Sequence, residues 1–483
     1  MRRVPHVGLL GVGLVELDVF GDPRDLGEGR HRGGSFRIEA RGEHAKNGET
    51  GEAGASRDRA PSANGGAAVR GRRYGRRMTL PGDGSELPLV DLADPGLWQD
   101  PAAALAPARE AASLARTSRG ERVVLRYAET ERLLADPRMR TVGARLLEGV
   151  GVTDGPLADW WRLVMFNTNP PEHGRLRSLV SRAFTPRQVE TLRPRVRAIA
   201  ATRIAPLLDA GPVDFEAAVA DPLPIAVTCE LLGLPEETWG VVGTWTAELG
   251  KVFATRLSDA QRLRCEGAVD GLNDLLRDQF SSRRRTPRAD LLTALSEASE
   301  AGDRLSPEEC AAMAINLLFA GHDTTRGLLS IGFAALLRHE EAVARLRSDR
   351  ARVPAAVEEM LRFEPPTLGS LRAPAEDLET SEGHILPRGI PVHFLFPGGN
   401  RDPRAFPSPD RFDLDRDGPR PLSFGLGPHF CLGAGLARME AQELVHAVLD
   451  ATGAAEIAME PRLVPFATIR RFESGLHLRL VSA

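Results

Sequence analysis

Cys431 lies in the run Phe424-Gly425-Leu426-Gly427-Pro428-His429-Phe430-Cys431-Leu432-Gly433, near the start of a late helical pattern. A lone cysteine is ordinarily a small buried apolar residue. Here glycines at 425, 427 and 433 keep side chains away and permit a tight turn that brings amide N–H groups towards the sulfur. A helix N-terminus directly behind it favours negative charge. These conditions predict a thiolate, and a thiolate held against an open face is a metal ligand. A second group, Ala320-Gly321-His322-Asp323-Thr324-Thr325, interrupts an apolar helical stretch. A carboxylate and hydroxyls inside a core helix are costly unless paired or used. Gly321 weakens the helix and leaves room against its backbone, while Thr324 can bond back to the Ala320 carbonyl and bend it. Two readings stand on these residues alone: a kink whose Asp323 reaches a surface basic group, or a polar insertion that works.

Other spacings add charge. Glu359 and Arg362, three apart in the helical run Val353 to Phe363, share a face and can pair. His173 and Arg177, four apart, share another helix face. Arg372 follows the Pro365-Pro366 turn, and His429 stands two residues before the cysteine. Singly, each of these is an ordinary surface residue.

Collectively the motifs resemble those of the cytochrome P450 superfamily. The cysteine run fills every fixed position of its haem-binding signature, Phe-Gly-x-Gly-x-His-x-Cys-x-Gly, and the resemblance extends from about Leu87 to the C-terminus. It includes Ala183-Phe184-Thr185-Pro186-Arg187 and Asn400-Arg401-Asp402-Pro403; the glycine pair in Pro397-Gly398-Gly399 departs from the usual pattern and is expected to alter a loop. The resemblance implies a haem b whose iron takes Cys431 as axial ligand, with Phe424, Gly425 and Gly433 shaping the ligand loop and Ala320 and Gly321 lining the opposite face. It implies that Thr324 hydrogen-bonds dioxygen and that Asp323 relays protons from solvent to it. His173, Arg177, Arg372 and His429 match positions that contact the two propionates. Glu359 and Arg362 match the Glu-x-x-Arg motif, and Pro409-Asp410-Arg411-Phe412 resembles the motif supplying a second arginine, Arg411, to a lock on the loop before the cysteine. His322 is not a motif position and reads as packing or as support behind the motif residues.

These groups need elements to hold them. The longest helix is predicted from Pro307 to about Leu337, with Ser306 as N-cap and Glu309 completing a capping box. Its middle is apolar almost all round, hence buried. Helices are also predicted at Ala103–Arg116, Glu129–Ala135, about 187–209, 222–232, 259–281 and 289–299. Strands are predicted at Arg122–Tyr127 and roughly 384–386, 390–395 and 476–481. The fold class is mainly α with a small β component, a single large helical domain with the haem buried between the long central helix and the helix after the cysteine.

Residues 1–77 of the 483 are rich in Gly, Arg, Glu and Ala and poor in large apolar side chains. They predict a disordered extension, with Met78 as the natural start and 78–483 as the catalytic domain. A formal net charge of −4 gives no electrostatic case for nucleic acid. The four cysteines, Cys229, Cys265, Cys310 and Cys431, have no zinc-type spacing, and a reducing cytoplasm is expected. No run approaches the roughly 20 apolar residues that span a bilayer, so no membrane partner is expected, and a monomer is.

By the same resemblance the chain is a monooxygenase that hydroxylates or epoxidises an apolar, medium or large small-molecule substrate. It would take electrons from a ferredoxin and its NAD(P)H-dependent reductase, with an exposed member of Arg175, Arg177 and Arg182 docking the ferredoxin. Candidate substrate walls are Val142–Asn169 with Trp160 and Trp161, Trp239–Phe253, Ile315 and Phe319, and Leu368–Leu371. The competing readings are a haem-thiolate enzyme of coupling or peroxide-driven type, and a catalytically silent accessory binding protein.

Overall fold

The computed structural model describes residues 86–143, 145–253, 257–298 and 305–483. The expected extension, 1–77, and the expected start at Met78 lie outside them. The architecture is built around the predicted long helix. The Ser306 hydroxyl accepts the Glu309 N–H, and the Glu309 carboxylate accepts the Ser306 N–H, so both ends of the capping box are made. The helix runs as Pro307–Gly327, widens into a π-type turn over Leu328–Gly332, and regains α geometry over Phe333–Leu337. Helices Pro222–Leu232, Trp239–Gly250 and Asp259–Arg285 pack along its first part. Val353–Phe363 and Ala434–Ala451 pack against its π-type turn and against each other. One apolar core runs through all of these, with Ile315, Leu318 and Leu329 at its centre.

Ten short strands flank the helices. They are β1 Leu114–Arg116, β2 Arg122–Val124, β3 Met139–Thr141, β4 Pro212–Asp214, β5 Gly369–Pro374, β6 Leu378–Glu379, β7 Ile385–Leu386, β8 Val392–Leu395, β9 Thr452–Ile457 and β10 His477–Ser482. The main sheet has the order β1-β2-β8-β5-β3, antiparallel except for β2 and β8. A second sheet has the order β4-β10-β9, and β6 and β7 form a separate hairpin. The expectation of a mainly helical fold with a small β component is met.

Local expectations differ in three places. The helix expected over Ala103–Arg116 ends at Ala111, and Leu114–Arg116 is β1, with Leu114 opposite Val124. Three residues of Leu, Ala and Arg carry no strand signature; the pairing with β2 overrides their helix propensity. Tyr127, expected to close a strand, opens the helix Tyr127–Ala135, its N–H donating to the Asp402 carboxylate at 3.1 Å. Pro397-Gly398-Gly399 is no loop: it forms the buried short helix Phe396–Asn400. A Cβ on Gly398 would lie 2.9 Å from the Leu125 carbonyl oxygen, and one on Gly399 would lie 2.4 Å from Leu422. The two glycines therefore let this segment press against both neighbours. No helix among the described residues is long and apolar enough to cross a membrane.

Candidate active site

The cysteine loop is closed by its own backbone. The Cys431 N–H donates to the Phe424 carbonyl at 2.9 Å, Phe430 N–H to Gly427 at 3.0 Å and Gly425 N–H to Leu422 at 2.7 Å. Gly425 and Gly427 have φ of +66° and +69°, a region that side chains resist. A Cβ on Gly427 would also lie 2.2 Å from the Leu134 carbonyl oxygen, so only glycine fits there. Phe424 stacks under the Arg438 guanidinium at 4.5 Å, and Arg438 is in turn paired to Glu358.

The Cys431 sulfur is reached by solvent, yet deep walls surround it. Burial pushes its thiol up, and the Gly433 amide, Arg177 and Arg438 only partly offset this. The glycine loop and a helix N-terminus aim favourable dipoles at the sulfur, and a bound metal cation would favour the thiolate further.

Beside the sulfur stand two arginines, Arg177 and Arg372, and two imidazoles, His173 and His429. The His173 and His429 rings lie 4.0 Å apart between centroids. Burial, with Arg372, His173 and Arg177 adding repulsion, drives His429 down to about 3. Burial lowers Arg372 to about 10, and burial together with Arg177 and Arg372 lowers His173. Arg177 is also lowered by burial, and the nearby Cys431 opposes that. Neither Arg177 nor Arg372 forms an ion pair among the described residues. Such a cluster calls for anions that the chain does not supply.

The lock on the loop is buried and fully bonded. Glu359 and Arg362 pair at 2.7 Å, and Arg362 also donates to the carbonyls of Asn400, Pro409 and Arg411. The second arginine is Arg416, whose Nε lies 2.9 Å from Glu359. Arg411, the residue expected there, is a correction: its side chain is exposed and it contributes only its carbonyl oxygen, to Arg362 and Arg416. The turn through Asp413, whose N–H donates to Glu359 at 2.9 Å, carries the chain past Arg411 and brings Arg416 back. Asn400, which motif reading gave no role, links this lock to the cysteine loop. Its side chain accepts from Leu422 N–H at 2.7 Å and donates to Ser423 at 3.2 Å.

On the long helix, Ala320 and Thr324 lie four residues apart on one face, and Ala320 is exposed within an otherwise buried run. The Thr324 hydroxyl donates to the Ala320 carbonyl at 2.7 Å, as the sequence suggested. Gly321 packs against a neighbouring helix on its Cβ side. A Cβ there would meet Thr228 at 3.2 Å, so the helix Pro222–Leu232 takes the room on that side, and Gly321 stays half-exposed. Asp323 pairs with Arg326 at 3.1 Å and lies against Gly250, where a Cβ would come within 2.4 Å of its carboxylate. Gly250 is thus a second residue that sequence reading missed. Of the expected substrate walls, Trp160, Trp161, Phe253 and Phe319 form one interlocked aromatic cluster with Phe166, and Trp160, Trp161 and Ile315 are buried core. Ser370 and Leu371 on β5 remain half-exposed.

Comparison with known proteins places this geometry. The chain is 38% identical over 390 residues to the cytochrome P450 monooxygenase PikC of Streptomyces venezuelae, covering 77% of this chain and 89% of that one. The chain belongs to the cytochrome P450 superfamily. The cytochrome P450 family model matches residues 251–451 of this P450. It is 37% identical over 334 residues to the 6-deoxyerythronolide B hydroxylase of Saccharopolyspora erythraea, covering 68% of this chain and 81% of that one. Its fold superposes on cytochrome P450 CYP109Q5 from Chondromyces apiculatus with a TM-score of 0.73 at 31% identity, over 82% of this chain and 99% of that one. It is a monooxygenase, as these relatives are named. The family holds a haem iron by a cysteine thiolate, and the residues present fit that group. An accessible sulfur sits at the base of a glycine loop, and beside it the uncompensated cations Arg177 and Arg372 await two carboxylates.

Proposed function

We propose that this P450 inserts one atom of O2 into an apolar, medium or large secondary metabolite, by hydroxylation or epoxidation, with electrons delivered by a ferredoxin. The reading is carried by one observation, the exposed Cys431 lying beside Arg177 and Arg372, which have no ion-pair partner among the described residues. Cys431 would hold the iron of haem b. His173, Arg177, Arg372 and His429 would hold its propionates, whose charge would offset the two guanidinium groups. When bound, the haem supplies dioxygen activation and oxygen transfer.

The protein's own task is to aim substrate and to manage protons. Thr324 parks its hydroxyl proton on the Ala320 carbonyl and can offer it elsewhere by rotating. Asp323, one residue earlier, passes protons from solvent to the same place. The Gly433 amide donates to the Cys431 sulfur and tempers its basicity. The relatives' names support the substrate class, since one acts on 6-deoxyerythronolide B.

For docking a ferredoxin, Arg175 is withdrawn, being paired with Glu172 and Glu309, and Arg177 faces the sulfur. Arg182, exposed in the last turn of the helix Glu172–Ala183, is the member left for an acidic partner. The test of the reaction is the reduced carbon monoxide difference spectrum, followed by turnover with ferredoxin and reductase compared with turnover on peroxide alone. A thiolate-type Soret band and ferredoxin-driven product are expected. A histidine-type band, or equal turnover on peroxide, would overturn the reading.

A further inference from the structure

His322 is the member of the polar insertion for which the motif gives no task. It is buried, and other elements engage both ring nitrogens. Nε2 lies 3.0 Å from Asp221 Oδ1, and Nδ1 lies 3.2 Å from Thr246 Oγ1. A carboxylate only accepts, so Nε2 carries a proton towards Asp221, while Nδ1 bonds the Thr246 hydroxyl, which also reaches the Val242 and Gly243 carbonyls. The ring thereby ties the long helix to the entrance of the helix Pro222–Leu232 and to the middle of Trp239–Gly250.

Asp221 in turn reaches Arg326. Its Oδ1 lies 3.5 Å from Arg326 Nη1, while Arg326 Nη2 lies 3.1 Å from Asp323 Oδ1. One guanidinium is therefore split between two carboxylates. Glu216, with an oxygen 3.9 Å from Arg326 Nε, and Arg471 and Arg203 complete the charged surroundings, and Asp214 stands beyond Glu216. The split matters because an arginine free to fork both terminal nitrogens onto one carboxylate binds it far more firmly than through one nitrogen. Asp221 has a side chain 43% exposed, so with His322 removed it can leave for solvent.

We propose that His322 and Asp221 are positioning residues for Asp323. His322 fixes Asp221, Asp221 draws one arm of Arg326 away, and Asp323, held by a single nitrogen, stays free to move a proton towards Thr324. The inference rests on the role proposed above for Asp323 and Thr324.

The holoenzyme variants His322→Phe, His322→Gln, Arg326→Gln and the double variant His322→Phe/Arg326→Gln test it. His322→Phe should keep its carbon monoxide spectrum and substrate affinity, slow turnover about tenfold, and raise the solvent deuterium isotope effect. His322→Gln, whose amide can still donate to Asp221, should recover most of that loss. In the Arg326→Gln background, His322→Phe should cost nothing further. Multiplying losses in the double variant would mean that His322 serves packing alone, and would overturn the proposal. A crystal structure of His322→Phe gives a readout apart from turnover: Arg326 should grip Asp323 with both terminal nitrogens, and an unmoved Arg326 would overturn the proposal by itself. Should His322→Phe fail to fold, Asp221→Asn, at a half-exposed position, must show the same slowing and the same rotation of Arg326. Asp323→Asn separates the two readings. Wild-type turnover in that variant would remove the proton role of Asp323, whereas slow turnover with an unmoved Arg326 in His322→Phe would remove only the role of His322.

Discussion

The two sides of the site are built on opposite plans. In the lock behind the cysteine loop, nearly every polar group is satisfied by a fixed partner. Arg362 makes five bonds to four partners, Glu359 is bonded by two arginines and an amide, and Gly427 has no room for a methyl group. On the long-helix side, charge is shared and incompletely matched. Arg326 serves two carboxylates, Glu216 is buried with one oxygen lacking a partner, and the backbone slackens into a π-type turn. The contrast teaches a division of labour: a metal ligand must not move, whereas a proton carrier must be able to exchange partners.

The hardest blow to the rigid side is loss of its ligand. Cys431→Ala should abolish the thiolate-type Soret band altogether; an unaltered absorbance would refute the assignment. Next comes Arg362→Leu, which strands Glu359 as a buried charge. Breaking such a pair costs about 3–5 kcal/mol, and thermal unfolding together with haem content should both fall. Between the two arginines of the lock the structure commits itself. Arg416→Ala removes charge-assisted bonds worth roughly 1.5–3 kcal/mol, while Arg411→Ala should leave the melting temperature unchanged, because its side chain bonds nothing in the lock. Equal effects would break the comparison on that side.

The adjustable side should respond to pH. Burial raises Glu216 from 4.5 to about 7, against the pull of Arg326. Below its ordinary range both folded and unfolded chains keep the proton, so Glu216→Gln and the native chain should be equally stable there. As pH rises from 4.5 towards 7, the unfolded chain releases the proton while the folded one retains it. The folded state loses stability over that window, and the loss is complete above it. Glu216→Gln should therefore raise the melting temperature at pH 8 and leave it unchanged at pH 4. The smallest effect is at the surface. Arg182→Glu should slow reduction by ferredoxin and flatten its salt dependence in stopped-flow traces, with unchanged kinetics excluding Arg182 from docking.

What could be read in the sequence followed the range of the interactions. The cysteine loop, the Ser306–Glu309 cap and the Glu359–Arg362 pair are each complete within about ten residues, so residue type and spacing carry them. The choice between Arg411 and Arg416 is set by a turn whose path spacing does not encode. For His322 the sequence left packing and support behind the motif undivided, because its partners lie 76 and 101 residues away. β1 was lost for the same reason: its three residues are strand only because β2 lies beside them.

Asn400 sits where two structures meet. Through its backbone it belongs to the Glu359–Arg362 lock, and through its amide to the loop that presents the sulfur. Neither can slacken without tugging the other. A warmed sample should accordingly lose its red colour and its helical ellipticity at a common temperature, in one cooperative step, instead of bleaching first and melting later.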